Sequence, residues 1–113
     1  MIHRAEEIAK RAVEETENPG LTIFALNEFE HQPQSLGMLA CATIAPGGFV
    51  EYHVHKGECE YYYILSGSGE YDDNGTVVKV HAGDITFTGN GEGHGLKNNG
   101  EQPLVFLPII VRY

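Results

Sequence analysis

The rhythm of apolar and polar positions changes once along the chain. Over the first seventeen residues, Ile2, Ala5, Ile8, Ala9, Ala12 and Val13 recur at helical spacing, with Glu and Arg between them. That pattern predicts a short N-terminal helix ended by Asn18-Pro19-Gly20. From Leu21 onward, short apolar or alternating runs are cut by turn residues, which predicts strands. The runs are Leu21–Phe29, Leu36–Ala45, Phe49–His55, Glu60–Leu65, Gly67–Tyr71, Thr76–Val80, Ile85–Thr88, Leu96–Asn98 and Leu104–Arg112. Phe49–His55 and Glu60–Leu65 read as a hairpin across Lys56-Gly57-Glu58. Asn74-Gly75 is the sharpest turn signal, because both positions tolerate the positive φ of a type I′ turn. Gly89–Gly95 reads as a glycine-dense loop. Eight or more short strands with no internal helix predict an all-β sandwich or barrel.

Length and composition narrow the picture. A chain of 113 residues is expected to form one domain. Residues 1–19 are its helix and edge element, and residues 36–112 its barrel. The net charge of −9 repels phosphate backbones and anionic lipid, which disfavours nucleic-acid and membrane partners. The longest apolar run, Leu104–Val111, is broken by Pro108 and falls short of the roughly 20 residues of a membrane span. The N-terminus is rich in Glu and shows no apolar leader, so a cytoplasmic protein is expected. Cys41 and Cys59 are too few for a disulfide framework and read as free thiols.

The candidate chemistry lies in the histidines. His53 and His55 stand two apart on a predicted strand, so both imidazoles point to one face. With six histidines in the chain, one such pair arises by chance about a quarter of the time. Two solvated histidines on a surface strand are therefore the plain alternative. The surroundings add weight. The first segment runs Gly47-x5-His53-x-His55-x4-Glu60-x6-Gly67. The second runs Gly83-x5-Gly89-x-Gly91-x2-His94-x3-Asn98.

These two segments resemble the signature motifs of the cupin superfamily. The first matches at all five fixed positions. The second matches at four of five, with Gly89 where the family usually has Pro. Gly does not fix φ as Pro does, which predicts a looser Gly89–Gly95 loop. The resemblance implies a cupin barrel (a double-stranded β-helix, or jelly roll) with a short N-terminal helix. It also implies that His53, His55, Glu60 and His94 are metal ligands. Three imidazoles and a carboxylate suit a divalent transition metal such as Fe, Mn, Ni, Cu or Zn. The remaining histidines, His3, His31 and His81, match no motif position and read as solvated.

Strand alternation names the neighbours. Counting from His53, Phe49 and Glu51 fall on the inward face. Counting from Glu60, Tyr62 and Ile64 do. Glu51 is a general base or imidazole partner, or else a solvated carboxylate at the barrel mouth. Tyr62 is a weak acid or orienting group near the metal, or else a core tyrosine with a bonded hydroxyl. Phe87, Leu96 and Phe106 are expected to line the pocket, with Phe106, Pro108 and Ile110 as one inward stripe.

The resemblance implies a metal-dependent enzyme acting on a small polar molecule, by dioxygen-dependent oxidation, decarboxylation or sugar-type isomerisation. The alternative is a non-catalytic, metal-dependent ligand-binding module. No Arg or Lys shares the His53 or Glu60 strand, which disfavours a strongly anionic substrate unless the metal itself binds the anion. A homodimer is expected, through sheet edges and a surface formed by the terminal strand Leu104–Val111 and the N-terminal helix.

Overall fold

The computed structural model describes all 113 residues. One short helix, α1 (Ala5–Ile8), precedes ten strands. These are β1 (Glu14–Glu15), β2 (Leu21–Ala25), β3 (Leu36–Ile44), β4 (Phe49–Val54) and β5 (Glu58–Ser66). They continue with β6 (Ser68–Asp73), β7 (Thr76–His81), β8 (Ile85–Thr88), β9 (Gly93–Lys97) and β10 (Leu104–Arg112). A six-stranded sheet has the order β1-β2-β3-β10-β5-β8, and a four-stranded sheet has the order β4-β9-β6-β7. All pairings are antiparallel. The two sheets face each other as a jelly roll. Their shared core contains Ala42, Ile44, Val50, Ile64, Tyr71, Leu96, Leu104 and Phe106.

The expected N-terminal helix shrinks to one turn. Arg4 sits at the cap position with no capping side chain, and no helical residue is buried. So short a helix, without a cap or a packed face, has little to hold it. Sheet pairing wins instead, as Glu14 and Glu15 align with Ile23 and Thr22. The Arg11 guanidinium clasps this segment by donating to the carbonyls of Ala25 (2.9 Å) and Asn27 (3.0 Å). The first expected strand stops at Ala25 rather than Phe29. Beyond it, the Glu28 carboxylate accepts from the backbone N–H groups of Glu30 and His31, which fixes a turn.

One further expectation is corrected. Phe49–Val54 and Glu58–Ser66 do not pair as a hairpin. β4 pairs with β9, and β5 pairs with β10 and β8. The chain changes sheets at Lys56-Gly57, where Gly57 has φ +74°. The terminal strand β10 is paired on both sides, with β3 and β5. The Asn74-Gly75 turn is as expected: φ is +52° and +96°, and Asp73 pairs with Thr76.

Candidate metal centre

Four side chains from both sheets converge. His53 lies on β4, His55 just beyond it, His94 on β9 and Glu60 on β5. Their ligand atoms all lie within 4.8 Å of one another. The three Nε2 atoms form a near-equilateral triangle: 3.1 Å from His53 to His55, 3.0 Å from His55 to His94, and 3.2 Å from His94 to His53. Glu60 Oε1 lies 2.9 Å from Nε2 of both His55 and His94, and 3.9 Å from that of His53.

These spacings test the fit of a metal. Metal–nitrogen bonds of about 2.1 Å separate adjacent octahedral donors by about 3.0 Å and tetrahedral donors by about 3.4 Å. The triangle matches the octahedral value. Glu60 is adjacent to two imidazoles and nearly opposite the third. Three ring nitrogens turned on one point cannot all hydrogen-bond one another, whereas a divalent ion satisfies all of them. The donor set therefore fits a divalent transition metal, and an octahedral ion held by these four keeps positions for a small ligand.

Local folding aims each ring through its other nitrogen. His53 Nδ1 faces the Glu51 carbonyl at 2.8 Å, and His55 Nδ1 faces the Glu58 carboxylate at 3.1 Å. His94 Nδ1 faces the hydroxyls of Tyr71 and Thr88, each at 2.8 Å. Such outer partners orient metal-ligating imidazoles and raise their basicity. The loop expected over Gly89–Gly95 ends at Glu92, because Gly93–Gly95 are paired in β9, and the part that remains is tied down. Gly89 N–H donates to the Glu92 carboxylate at 2.6 Å, a bond that Pro cannot make. His55 exchanges backbone bonds with Glu92 (3.0 Å) and Gly91 (2.7 Å) on the same loop.

Charge completes the centre. Burial opposes ionisation of Glu60 most, but the imidazoles of His53, His94 and His55 around it together hold its carboxyl below the ordinary range. Glu60 raises the His53 imidazole above its usual value. Burial lowers His94, and Glu60 only partly offsets it. Burial also pushes the Tyr62 phenol well up, so it stays protonated.

A cavity of about 350 Å³ opens beside the cluster, with His53, His55, Glu60 and Tyr62 in its wall. Phe106, Pro108 and Ile110 line it as one stripe, beside Leu21, Ile23, Met38 and Ala42 of the same sheet and with Val50 of the other. Glu14, Thr16 and Asn18 of the N-terminal segment border it too, and no Lys or Arg does. The Tyr62 ring stacks on His94, with centroids 4.7 Å apart and planes 26° apart.

Three expected neighbours lie elsewhere. Glu51 is exposed and borders a groove on the outer face of the four-stranded sheet, with Tyr52, Glu70, Asp72 and Lys97. The cause is a bulge. Val50 pairs with Leu96 and His53 with His94, so three steps on β4 span two on β9. Alternation counted from His53 therefore fails beyond the bulge, and Val50 rather than Glu51 faces in. Phe87 is 49 % exposed and rests against Tyr61 on the outer face of the six-stranded sheet. Leu96 is buried in the core behind the cavity and is not part of its wall. Sequence reasoning missed Tyr71, Thr88 and Glu58. Only Glu58 carried a local signal, three residues after His55.

A two-sheet jelly roll with three converging imidazoles and one carboxylate defines the metal-site class of cupin barrels. The description of the cupin domain matches residues 40–110, and the chain belongs to that family. Its relatives sharpen the likeness. An oxalate-binding protein of Thermotoga maritima is 45 % identical over 74 residues, which is 66 % of this chain and 61 % of that protein. An oxalate decarboxylase of Bacillus subtilis is 33 % identical over 75 residues, 62 % of this chain and 20 % of the relative. The match thus spans under two thirds of either curated relative. The crystal structure of a predicted oxalate decarboxylase from Thermotoga maritima superposes with a TM-score of 0.90, covering 100 % of both chains at 33 % identity.

Proposed function

We propose that this chain is a divalent-metal cupin that binds a small chelating carboxylate of the oxalate type. The observation that carries the reading is the Nε2 triangle of 3.0–3.2 Å with Glu60 Oε1 beside it. His53, His55, Glu60 and His94 would hold the ion, and the ion would supply the positive charge that attracts carboxylate oxygens. The protein supplies no other cation: the cavity wall is mostly apolar and contains no Lys or Arg. At about 350 Å³, the cavity is at the small end of ligand pockets. The names of the relatives from Thermotoga maritima and Bacillus subtilis support the same ligand class.

A second reading is turnover of that ligand, and Tyr62 favours it. Decarboxylation of hydrogen oxalate breaks the C–C bond, releases CO₂ and leaves formate, whose carbon takes up one proton. A buried phenol kept protonated beside the cluster is a donor for such a step. Tyr62 is thus the candidate catalytic residue; Glu51, on the outer face, is not. The proposal includes a homodimer, because Tyr61, Tyr63, Leu65, Ile85 and Phe87 leave an apolar outer face on the six-stranded sheet.

Calorimetric titration of chelator-treated and then Mn²⁺- or Zn²⁺-loaded protein tests the reading. Oxalate is expected to bind only the loaded form, and at least about tenfold more tightly than acetate, which cannot chelate through two carboxylates. No heat with oxalate in any loaded form would overturn it. Carbon-13 NMR of labelled oxalate decides turnover, with Tyr62→Phe expected to lower formate formation without abolishing oxalate binding.

A further inference from the structure

The three imidazoles differ in what faces their second nitrogen. The Glu51 carbonyl at His53 Nδ1 and the Glu58 carboxylate at His55 Nδ1 only accept hydrogen bonds. Both rings therefore carry a proton on Nδ1 and turn a bare Nε2 to the centre. His94 is different. Its Nδ1 faces two hydroxyls, Tyr71 and Thr88, which are themselves 2.7 Å apart. A hydroxyl either donates or accepts, so these partners accommodate both tautomers of the neutral ring.

The centre supplies the other half of the argument. With His53 and His55 presenting lone pairs, His94 Nε2 is the ring nitrogen able to donate to Glu60 Oε1, at 2.9 Å. The same N–H meets the lone pairs of His55 at 3.0 Å and His53 at 3.2 Å. One proton on His94 Nε2 thus gives the metal-free centre its hydrogen bond to Glu60. With a metal ion there, Nε2 must be bare, and the proton of the neutral ring belongs on Nδ1.

We infer that Tyr71 and Thr88 form a tautomer switch for His94, donating to Nδ1 in the metal-free protein and accepting from it in the loaded one. The ring stays neutral in both states. His94 and Thr88 have no exposed surface and Tyr71 only 2 %, so the switch is built from protein hydroxyls rather than bulk solvent. Tyr71 comes from β6 of one sheet and Thr88 from β8 of the other, so docking of the sheets assembles it. Both are positioning residues. The inference rests on the metal reading above.

Nitrogen-15 NMR of the ring nitrogens tests it in the wild-type chain, first chelator-treated and then loaded with Zn²⁺ as probe. His94 is expected as the Nε2–H tautomer without metal and the Nδ1–H tautomer with it, while His53 and His55 stay Nδ1–H. The shape-conserving pair Tyr71→Phe/Thr88→Val removes both hydroxyls and is expected to weaken Zn²⁺ binding about 10–100-fold. Either single variant keeps one hydroxyl and most of the affinity. A His94 Nδ1–H tautomer in both states overturns the switch and leaves the metal site standing. Wild-type affinity in the double variant overturns the positioning role. Failure of the wild-type chain to take up Zn²⁺ overturns the metal reading, and this inference with it.

Discussion

Metal loading should raise the thermal stability of this chain by an amount set by how the site is built. The donors lie on β4, β5 and β9 and in the turn after β4, so they tie the four-stranded sheet to the six-stranded one. His53 and His94 are 41 positions apart in sequence, and the unfolded chain offers no such cluster. Binding is therefore almost wholly to the folded state and adds RT ln(1 + [M]/Kd) to stability. At a free metal concentration of 1,000 Kd this is about 4.1 kcal/mol. For a chain of 113 residues, 1 kcal/mol moves Tm by about 4 °C. The expected rise is thus about 16 °C over the chelator-treated protein, measured by scanning calorimetry. Across a metal series at equal concentration the shift should grow from Mn²⁺ through Fe²⁺, Co²⁺ and Ni²⁺ to Cu²⁺, and fall back at Zn²⁺. The shift should vanish in the His53→Ala/His94→Ala variant. A Tm that no ion moves, or a shift that survives in that variant, refutes the argument from converging donors.

Acidification should release the metal in a defined order. Uptake needs neutral imidazoles and an ionised carboxylate. Glu60, held below its ordinary range, stays ionised as the pH falls, whereas His53, held above its own, takes up a proton first. Affinity should therefore begin to drop while the pH is still above about 6.5, the ordinary imidazole value. It should drop further below that value as His94, lowered by burial, also titrates; chelator competition from pH 8 to pH 5 checks this, and a flat profile contradicts it. Phe106→Ala removes a ring that is 1 % exposed and 4.7 Å from that of Tyr62. The space left adjoins a cavity that already exists, so the cost should sit at the low end of such truncations, about 3 kcal/mol in urea unfolding of the metal-free protein. A loss under about 1 kcal/mol would mean that Phe106 is not part of the packed wall.

What the sequence made legible, and what it hid, divide along one line: features set by neighbours in the chain against features set by the docking of two sheets. The Asn74-Gly75 turn and the spans of β8 and β10 were readable because local chemistry decides them. His53, His55, Glu60 and His94 were readable through the resemblance of their two segments to the cupin motifs, and they meet in space. The sheet assignment of β4 and β5 was not readable, since a three-residue link serves a hairpin or a crossing between sheets equally well. Tyr71 and Thr88 were invisible for the same reason, because neither approaches His94 until the sheets close on it. The bulge on β4 is the most instructive miss. It displaced Glu51 to the outer surface, yet it answers a need that strict alternation cannot meet. Val50 and His53 are three apart, and alternation would put them on opposite faces. The core needs Val50 packed against Leu96, and the cluster needs His53 opposite His94. One extra residue between them lets a single strand do both, so the irregularity that defeated the parity count is part of how the centre is assembled.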